Sequence, residues 1–156
     1  PATAAATAGA ATAPQPIAAG AEFSQDFEVA NEGGLVVGRP QDLRDGREDT
    51  WASLRGGNAS WVLELNAQRT VIGVRLLPRP DFNDPVTLTR IELSPDGSVW
   101  TTVYLAPGNC GVPNCDTLTP QTYAEFGFPG GPAAKVRLTS GPTRFAFSEV
   151  QVALAP

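Results

Sequence analysis

The stretch TRIELSPDGSVWTTVYL, residues 89–105, contains two short strand patterns and the turn between them. In its first part the apolar Ile91 and Leu93 alternate with charged residues, a period of two that is typical of a strand with one buried face. In SPDG, residues 94–97, proline stands at the second position of the turn, where its fixed φ suits a type I turn, and glycine stands at the fourth. The stretch therefore predicts an antiparallel hairpin.

The same alternation recurs along the chain. EFSQDFEV, residues 22–29, places Phe23, Phe27 and Val29 on one face. Similar stretches are SWVLELN at 60–66 (Trp61, Leu63, Leu65), VIGVRL at 71–76 (Ile72, Val74, Leu76) and AKVRL at 134–138 (Ala134, Val136, Leu138). No stretch shows a helical stripe longer than about two turns. The pattern predicts an all-β chain, folded as an antiparallel β-sandwich of the jelly-roll type.

The last strand pattern, RFAFSEVQVAL, changes parity part-way. Phe145 and Phe147 share one face, whereas Val150 and Val152 have the opposite parity. A β-bulge near Ser148 would restore a single buried face, and bulges re-aim the side chains beside them. We therefore predict a bulge at this point of the strand.

Composition excludes several classes of function. The chain has 156 residues, enough for one domain, and its net charge of -5 argues against nucleic-acid binding. It has no histidine, which excludes Ser-His-Asp and Cys-His catalysis. It has no apolar run of 18 residues, so we expect no membrane insertion. Carboxylate pairs such as Asp45 with Glu48 are more typical of solvated loops or metal ligands than of glycosidases, and we expect no enzyme.

The first 20 residues differ from the rest of the chain. Residues 1–20 are almost entirely Ala, Thr, Pro and Gly, with no charge. Such a segment cannot bury a core of its own, so it is a linker, or a tail that docks on its own domain or on a neighbouring copy. The folded domain is expected over 21–156. The absence of methionine fits either removal of a signal peptide or precursor segment, or ordinary trimming of an initiator methionine.

The two cysteines lie five residues apart in GNCGVPNC. The Gly/Pro/Asn loop between Cys110 and Cys115 brings them close enough for a short disulfide. The alternative is a pair of free thiols in a reducing compartment. A disulfide would favour a secreted or cell-surface protein.

Taken in order, the motifs resemble those of a known family. They are DLRDGREDTWAS, SWVLELN, VIGVRLLPR, TRIELSPDGSVW and AAKVRLTSGPTRFAFSEVQV. The set is similar to the discoidin family, or coagulation factor 5/8 type C domains, over about residues 22–154. It is most similar to the bacterial carbohydrate-binding modules of that superfamily, which implies a galactose-binding-like jelly roll. Trp61 alternates with leucines, and Trp100 follows the SPDG turn at a position typical of the family, so we expect both in the core. We expect Trp51 to pack beside the loop at 37–54.

The resemblance implies a structural calcium ion under that loop. Its side-chain ligands would be Asp45, Thr50 and Glu149. Backbone carbonyls near Leu43, Glu48 and Ser148 would complete the shell. Calcium prefers six to eight oxygen ligands in a flexible cage, which a tight acidic loop offers. The alternative is that Asp45-Gly46 is an ordinary turn and Glu149 a solvated strand residue. An Asp45 that pairs with Arg44 or Arg47 would look the same in the sequence.

In the carbohydrate-binding relatives, sugars bind to loops at one end of the sandwich. The candidate loop here is LLPRPDFNDPV, residues 76–86, in which Phe82 would stack on the sugar while Arg79 and Asn83 bind its hydroxyls. Arg144, in SGPTRF, is a further candidate donor. The alternative is that Phe82 plugs its own loop and Arg79 pairs with a neighbouring aspartate.

Two functions follow as expectations. The first is a non-catalytic module that binds a glycan or polysaccharide and is stabilised by calcium. The second is a structural or decoration subunit of an extracellular or virion assembly, whose N-terminal tail docks on other copies.

Overall fold

The computed structural model describes residues 13–79, 85–108 and 110–156. Within these ranges it contains ten strands and one short 3-10 helix. The strands are β1 (Glu22–Ser24), β2 (Phe27–Glu32), β3 (Leu35–Gly38), β4 (Ala52–Arg55), β5 (Ser60–Pro78), β6 (Val86–Ser94), β7 (Thr101–Leu105), β8 (Asp116–Leu118), β9 (Ala124–Ser140) and β10 (Phe145–Leu154). The 3-10 helix spans Pro40–Arg44. The predicted all-β class is confirmed.

Two long strands curl the sheet into a sandwich. The antiparallel order is β3-β4-β10-β5-β9-β6-β7, with β1 on β10, β2 on β5 and β8 on β6. The long strands β5 and β9 pair in two sections, separated by a register break between Glu64 and Arg69. Before the break β5 also pairs with β2, and after it with β10. Each long strand therefore contributes to both layers, and the predicted β-sandwich is confirmed.

The core between the layers is aromatic and aliphatic. Trp61 is fully buried, as predicted, and its Nε1 donates to the carbonyl of Phe145 at 3.1 Å. Tyr104 packs edge-on against Phe126 with ring centres 4.8 Å apart, and Phe145 packs in the same way against Phe147. These contacts join β10 to β5 and β7 to β9 across the core.

The prediction of one strand over 22–29 was wrong. The chain leaves the sheet at Gln25 and Asp26, so that β1 pairs with β10 and β2 pairs with β5. Because the two strands have different partners, they do not share one inward face. Phe27 is buried, whereas Phe23 is 42% exposed and lies outside the core.

Register breaks also shift two of the predicted inward faces. Val71 is buried and Ile72 is not, because the pairing of β5 with β9 is irregular between Val71 and Gly73. In β9, Ala133 is buried in place of Ala134, close to the break that separates the two sections of the ladder. A simple period of two cannot follow such breaks.

The predicted bulge in the last strand is present. The register of β10 on β5 shifts between Phe147 and Glu149. Consequently Phe145, Phe147, Val150 and Val152 are all fully buried despite their opposite parities.

The predicted hairpin turn is also present between β6 and β7. The Asp96 carboxylate accepts hydrogen bonds from the backbone N–H groups of Ser98 and Val99, at 2.9 and 3.1 Å. These bonds to the charged form lower the pKa of Asp96 to about 2. Trp100, expected in the core, is only partly buried, and the guanidinium of Arg137 lies 4.0 Å from the centre of its ring.

The predicted disulfide joins Cys110 and Cys115, whose Cα atoms are 5.6 Å apart. It closes the short loop that precedes β8. No helix within the described ranges is long and apolar enough to cross a membrane.

Candidate functional site

The acidic loop after the 3-10 helix closes on the side chain of Asp45. One carboxylate oxygen accepts from the backbone N–H of Arg47 at 2.9 Å, and the other accepts from the hydroxyl of Thr50 at 2.5 Å. Gly46 makes the turn with a φ of 75°, in the left-handed region that favours glycine. The loop Asp45–Thr50, together with Glu149, is called the clasp below.

The arginines near Asp45 pair with other residues. Arg44 reaches Glu28 at 3.3 Å, and Arg47 forms an ion pair with Asp49 at 2.7 Å. Neither of these ion pairs includes Asp45, although the charge of Asp45 contributes to the raised pKa of Arg47.

Glu149 meets this loop from the far end of the chain. It is 2% exposed, and one of its carboxylate oxygens accepts from Gln25 Nε2 at 3.0 Å. Its other oxygen, Oε2, is buried and has no hydrogen-bond partner among the described residues. Burial raises the pKa of Glu149 to about 7, the carboxyl of Asp45 adds to this rise, and Gln25 and the Gly46 backbone oppose it. The structure thus brings Asp45 close enough to Glu149 to raise the pKa of Glu149.

Gln25 fixes the position of Glu149. It lies between β1 and β2, and its side-chain amide donates to the carbonyl of Val150 at 3.1 Å as well as to the Glu149 carboxylate. The opening segment of the domain is thereby tied to its last strand at the clasp.

Glu48 of the clasp contacts Tyr123, which lies beside it. The hydroxyl of Tyr123 donates to a carboxylate oxygen of Glu48 at 3.4 Å. Burial raises the pKa of Tyr123, and the charges of Glu48 and Glu149 raise it further. The guanidinium of Arg75 lies 4.1 Å from the centre of the Tyr123 ring and opposes this rise. The Glu48 side chain is thus directed to the tyrosine.

The donor chemistry of the clasp fits calcium. Among the described residues, no three His, Cys, Asp or Glu side chains are grouped to hold a metal ion. A site here would therefore combine the two carboxylates of Asp45 and Glu149 with neutral oxygens, of which Thr50 supplies one. Calcium accepts such mixed oxygen shells, and the unpartnered Glu149 oxygen is the kind of atom that it stabilises.

The candidate sugar-binding arginines lie on neighbouring segments. The backbone N–H of Arg79 donates to the carbonyl of Ala146 at 3.1 Å, two residues after Arg144. The guanidinium of Arg79 lies 5.2 Å from the centre of the Trp51 ring, and Trp51 directly follows Thr50. This part of the predicted site therefore borders the clasp. Phe82 and Asn83 lie outside the described residues.

Comparison with known proteins identifies the family. Residues 23–139 match the model of the F5/8 type C domain. The chain belongs to the F5/8 type C domain family. No curated protein sequence matches it significantly.

Solved structures with the same fold as this F5/8 type C domain include bacterial carbohydrate-binding modules. CBM32-3 from a family 31 glycoside hydrolase of Clostridium perfringens is 19% identical, with a TM-score of 0.68 over 86% of this chain and 95% of that one. The family 32 module of C. perfringens NanJ, solved with galactose, is 15% identical, with a TM-score of 0.65 over 82% and 93%. CpGH89CBM32-5 of the same organism, solved with GalNAc-β-1,3-galactose, is 16% identical, with a TM-score of 0.62 over 83% and 96%.

Three neighbours of the site in this F5/8 type C domain were missed by sequence reasoning. Gln25 holds Glu149, Tyr123 borders Glu48, and Trp51 lies under Arg79. Gln25 and Tyr123 lie far along the chain from their partners and carry no local signal. Trp51 had such a signal in its position directly after Thr50, although we expected it only to pack beside the loop.

Proposed function

We propose that this F5/8 type C domain is a non-catalytic carbohydrate-binding module. It binds glycans at the loop end formed by Arg79 and Arg144, and it holds a structural calcium ion in the clasp. The observation that carries the proposal is the arrangement of Arg79, which extends from the end of β5, lies over Trp51 and adjoins the clasp. The similarity in fold to modules solved with galactose and GalNAc-β-1,3-galactose supports it.

The arginines supply the polar half of recognition. A guanidinium presents several N–H donors in a fixed fork, which suits the paired hydroxyls of a sugar ring. Trp51 restrains the guanidinium of Arg79, so that less conformational freedom is lost when a sugar binds. Phe82 would offer an aromatic face and Asn83 a further donor; both stay predictions.

The calcium ion would be held by Asp45, Thr50 and Glu149, with carbonyls of Leu43, Glu48 and Ser148 completing its shell. Bound there, it supplies the positive charge that the two facing carboxylates lack. Gln25 already orients Glu149, and the Asp45 side chain already orders the loop. These contacts would orient Asp45 and Glu149 before the ion binds, and the bound ion would tie the loop to β10.

The disulfide supports a secreted or cell-surface location, because such bonds persist in oxidising compartments. The described part of the N-terminal segment lies on its own domain, so nothing in its contacts favours the assembly role over glycan binding.

A glycan array carrying galactose-terminated oligosaccharides tests the proposal. We expect the wild-type chain to bind, and Arg79→Ala to weaken binding by about tenfold or more, since a charged hydrogen bond contributes about 1.5–3 kcal/mol. The matched control is Arg69→Ala, which should bind as the wild type does. Arg69 is exposed and follows the register break in β5, whereas Arg79 follows the end of that strand. Absence of binding to every glycan, or equal binding by both variants, would contradict the proposal.

A further inference from the structure

Part of the linker-like N-terminal segment lies in a notch of its own domain. The notch has two glycines as its floor, Gly73 on β5 and Gly127 on β9, which are direct partners in the antiparallel ladder. The backbone N–H of Gly127 donates to the carbonyl of Gln15 at 2.7 Å. Residues 13–20 are called the strap below.

The strap leaves no room for a side chain at Gly127, and at Gly73 it shares that effect with the sheet itself. A Cβ placed on Gly127 would overlap the carbonyl of Pro16 and lie 3.0 Å from the Cα of Ile17, and its three nearest atoms all belong to the strap. A Cβ on Gly73 would lie 2.8 Å from Cγ1 of Ile17 and 2.8 Å from the carbonyl oxygen of Phe126.

Backbone conformation does not explain these glycines. Neither Gly73 nor Gly127 has a positive φ, unlike the turn glycines of this chain. Glycine weakens a strand interior, and it is found there where another backbone approaches closely. At Gly127 the approaching backbone is the strap.

The strap crosses the sheet in one direction. Gln15 bonds to β9, Ile17 lies on β5, Gly20 approaches Pro156, and β1 then pairs with β10. The chain therefore reaches Ala13 on the β9 side of the sheet.

We propose that the Gly73–Gly127 notch is an intramolecular docking site for the extended Gln-Pro-Ile segment of the strap. Docking makes the strap part of the folded domain, so that the attachment point of the preceding residues is fixed at β9. A flexible linker starting at Gly20 would instead leave that point free over many ångströms. The inference stands independently of glycan or calcium binding.

Gly127→Ala tests the notch, because the three atoms nearest to the added methyl group all belong to the strap. Digestion with proteinase K, followed by mass spectrometry, should cut within residues 13–20 at least tenfold faster in Gly127→Ala than in the wild type, while β1 to β10 stay resistant. The matched control is Gly131→Ala on the same strand, whose nearest neighbour is a Leu93 methyl at 3.4 Å. It should be cut at the wild-type rate. A strap equally resistant in Gly127→Ala would overturn the proposal.

Ile17→Asp tests the same contact from the strap, outside any strand. We expect it to expose the strap to cleavage, and we expect Gly127→Ala to add no further loss of melting temperature in the Ile17→Asp chain. Additive losses would mean that Gly127 serves the sheet alone, against the proposal. Protection of the strap that falls on dilution of the wild type would show docking between copies, and would also overturn it.

Discussion

Two buried glutamates of this domain have pKa values that are shifted in opposite directions. Glu92, on the layer formed by β6 and β9, is 7% exposed and accepts from Arg137 at 2.9 Å and from Arg90 at 3.1 Å. Glu149, in the clasp, is 2% exposed and accepts from the neutral Gln25. Burial raises the pKa of both, but at Glu92 the two arginines outweigh burial and the pKa falls below its usual value. At Glu149 the pKa rises to about 7.

The two glutamates differ in what compensates for their lost hydration. A buried carboxylate is stable when a cation and hydrogen bonds compensate its lost hydration. Glu92 has both within the protein itself. Glu149 has hydrogen-bonding partners in Gln25 and the Gly46 backbone, but Asp45 adds to the rise of its pKa and no arginine or lysine is among the groups that lower it. Protonation would relieve the cost of this burial, and so would the calcium ion proposed above.

Removing Arg137, one of the two arginines that bind Glu92, should give the largest loss of stability. Arg137→Met leaves the Glu92 carboxylate buried with only Arg90, and we expect a loss of about 3 kcal/mol in the free energy of unfolding, measured in urea. The control is Lys135→Met, which breaks a half-exposed ion pair with Glu64 and should lose less than about 1 kcal/mol. Equal losses would mean that Glu92 does not depend on its arginine, and the contrast with Glu149 would disappear.

Without calcium, the contributions of Glu149 and Glu92 to the free energy of unfolding should change with pH in opposite directions. Because the pKa of Glu149 is higher in the folded chain, the unfolded chain releases this proton at a lower pH. Wild-type stability should therefore fall as pH rises from about 4.5 to about 7, by up to about 3 kcal/mol. Glu149→Gln should remove that fall and be the more stable protein at pH 7 in EDTA.

The lowered pKa of Glu92 predicts the reverse. Its contribution is present above pH 4.5 and is lost as pH falls below that value. Glu92→Gln should therefore be less stable than the wild type at neutral pH, with a difference that shrinks in acid. Urea unfolding across this pH range in EDTA measures both variants. If Glu149→Gln and Glu92→Gln changed the stability at neutral pH in the same direction, the contrast between the two glutamates would be contradicted.

The sequence predicted the layers better than it predicted the site. Alternation identified most strands, and the parity change between Phe147 and Val150 correctly located the bulge beside Glu149. Phe23 and Ile72 were misplaced because each adjoins a change of strand partner or register. The environment of Glu149 depends on Gln25, which is 124 residues away. No local pattern can report such a contact.

Removing the hydroxyl of Thr50 in the clasp should have a smaller effect, seen in the affinity for calcium. Thr50→Val keeps the shape of the side chain but removes a neutral oxygen and its hydrogen bond to Asp45. We expect calcium affinity to fall about tenfold, equivalent to about 1.4 kcal/mol. Thr101→Val, at an exposed position on β7, is the matched control and should bind calcium as the wild type does. If both variants bind equally, Thr50 is not a ligand.

Titration calorimetry of calcium into the full chain at neutral pH tests most directly the central proposal, which is that a calcium ion in the clasp neutralises Glu149. We predict one bound ion per chain for the wild type and for Glu92→Gln, and no binding by Glu149→Gln. Absence of binding by the wild type, or unchanged binding by Glu149→Gln, would contradict the claim.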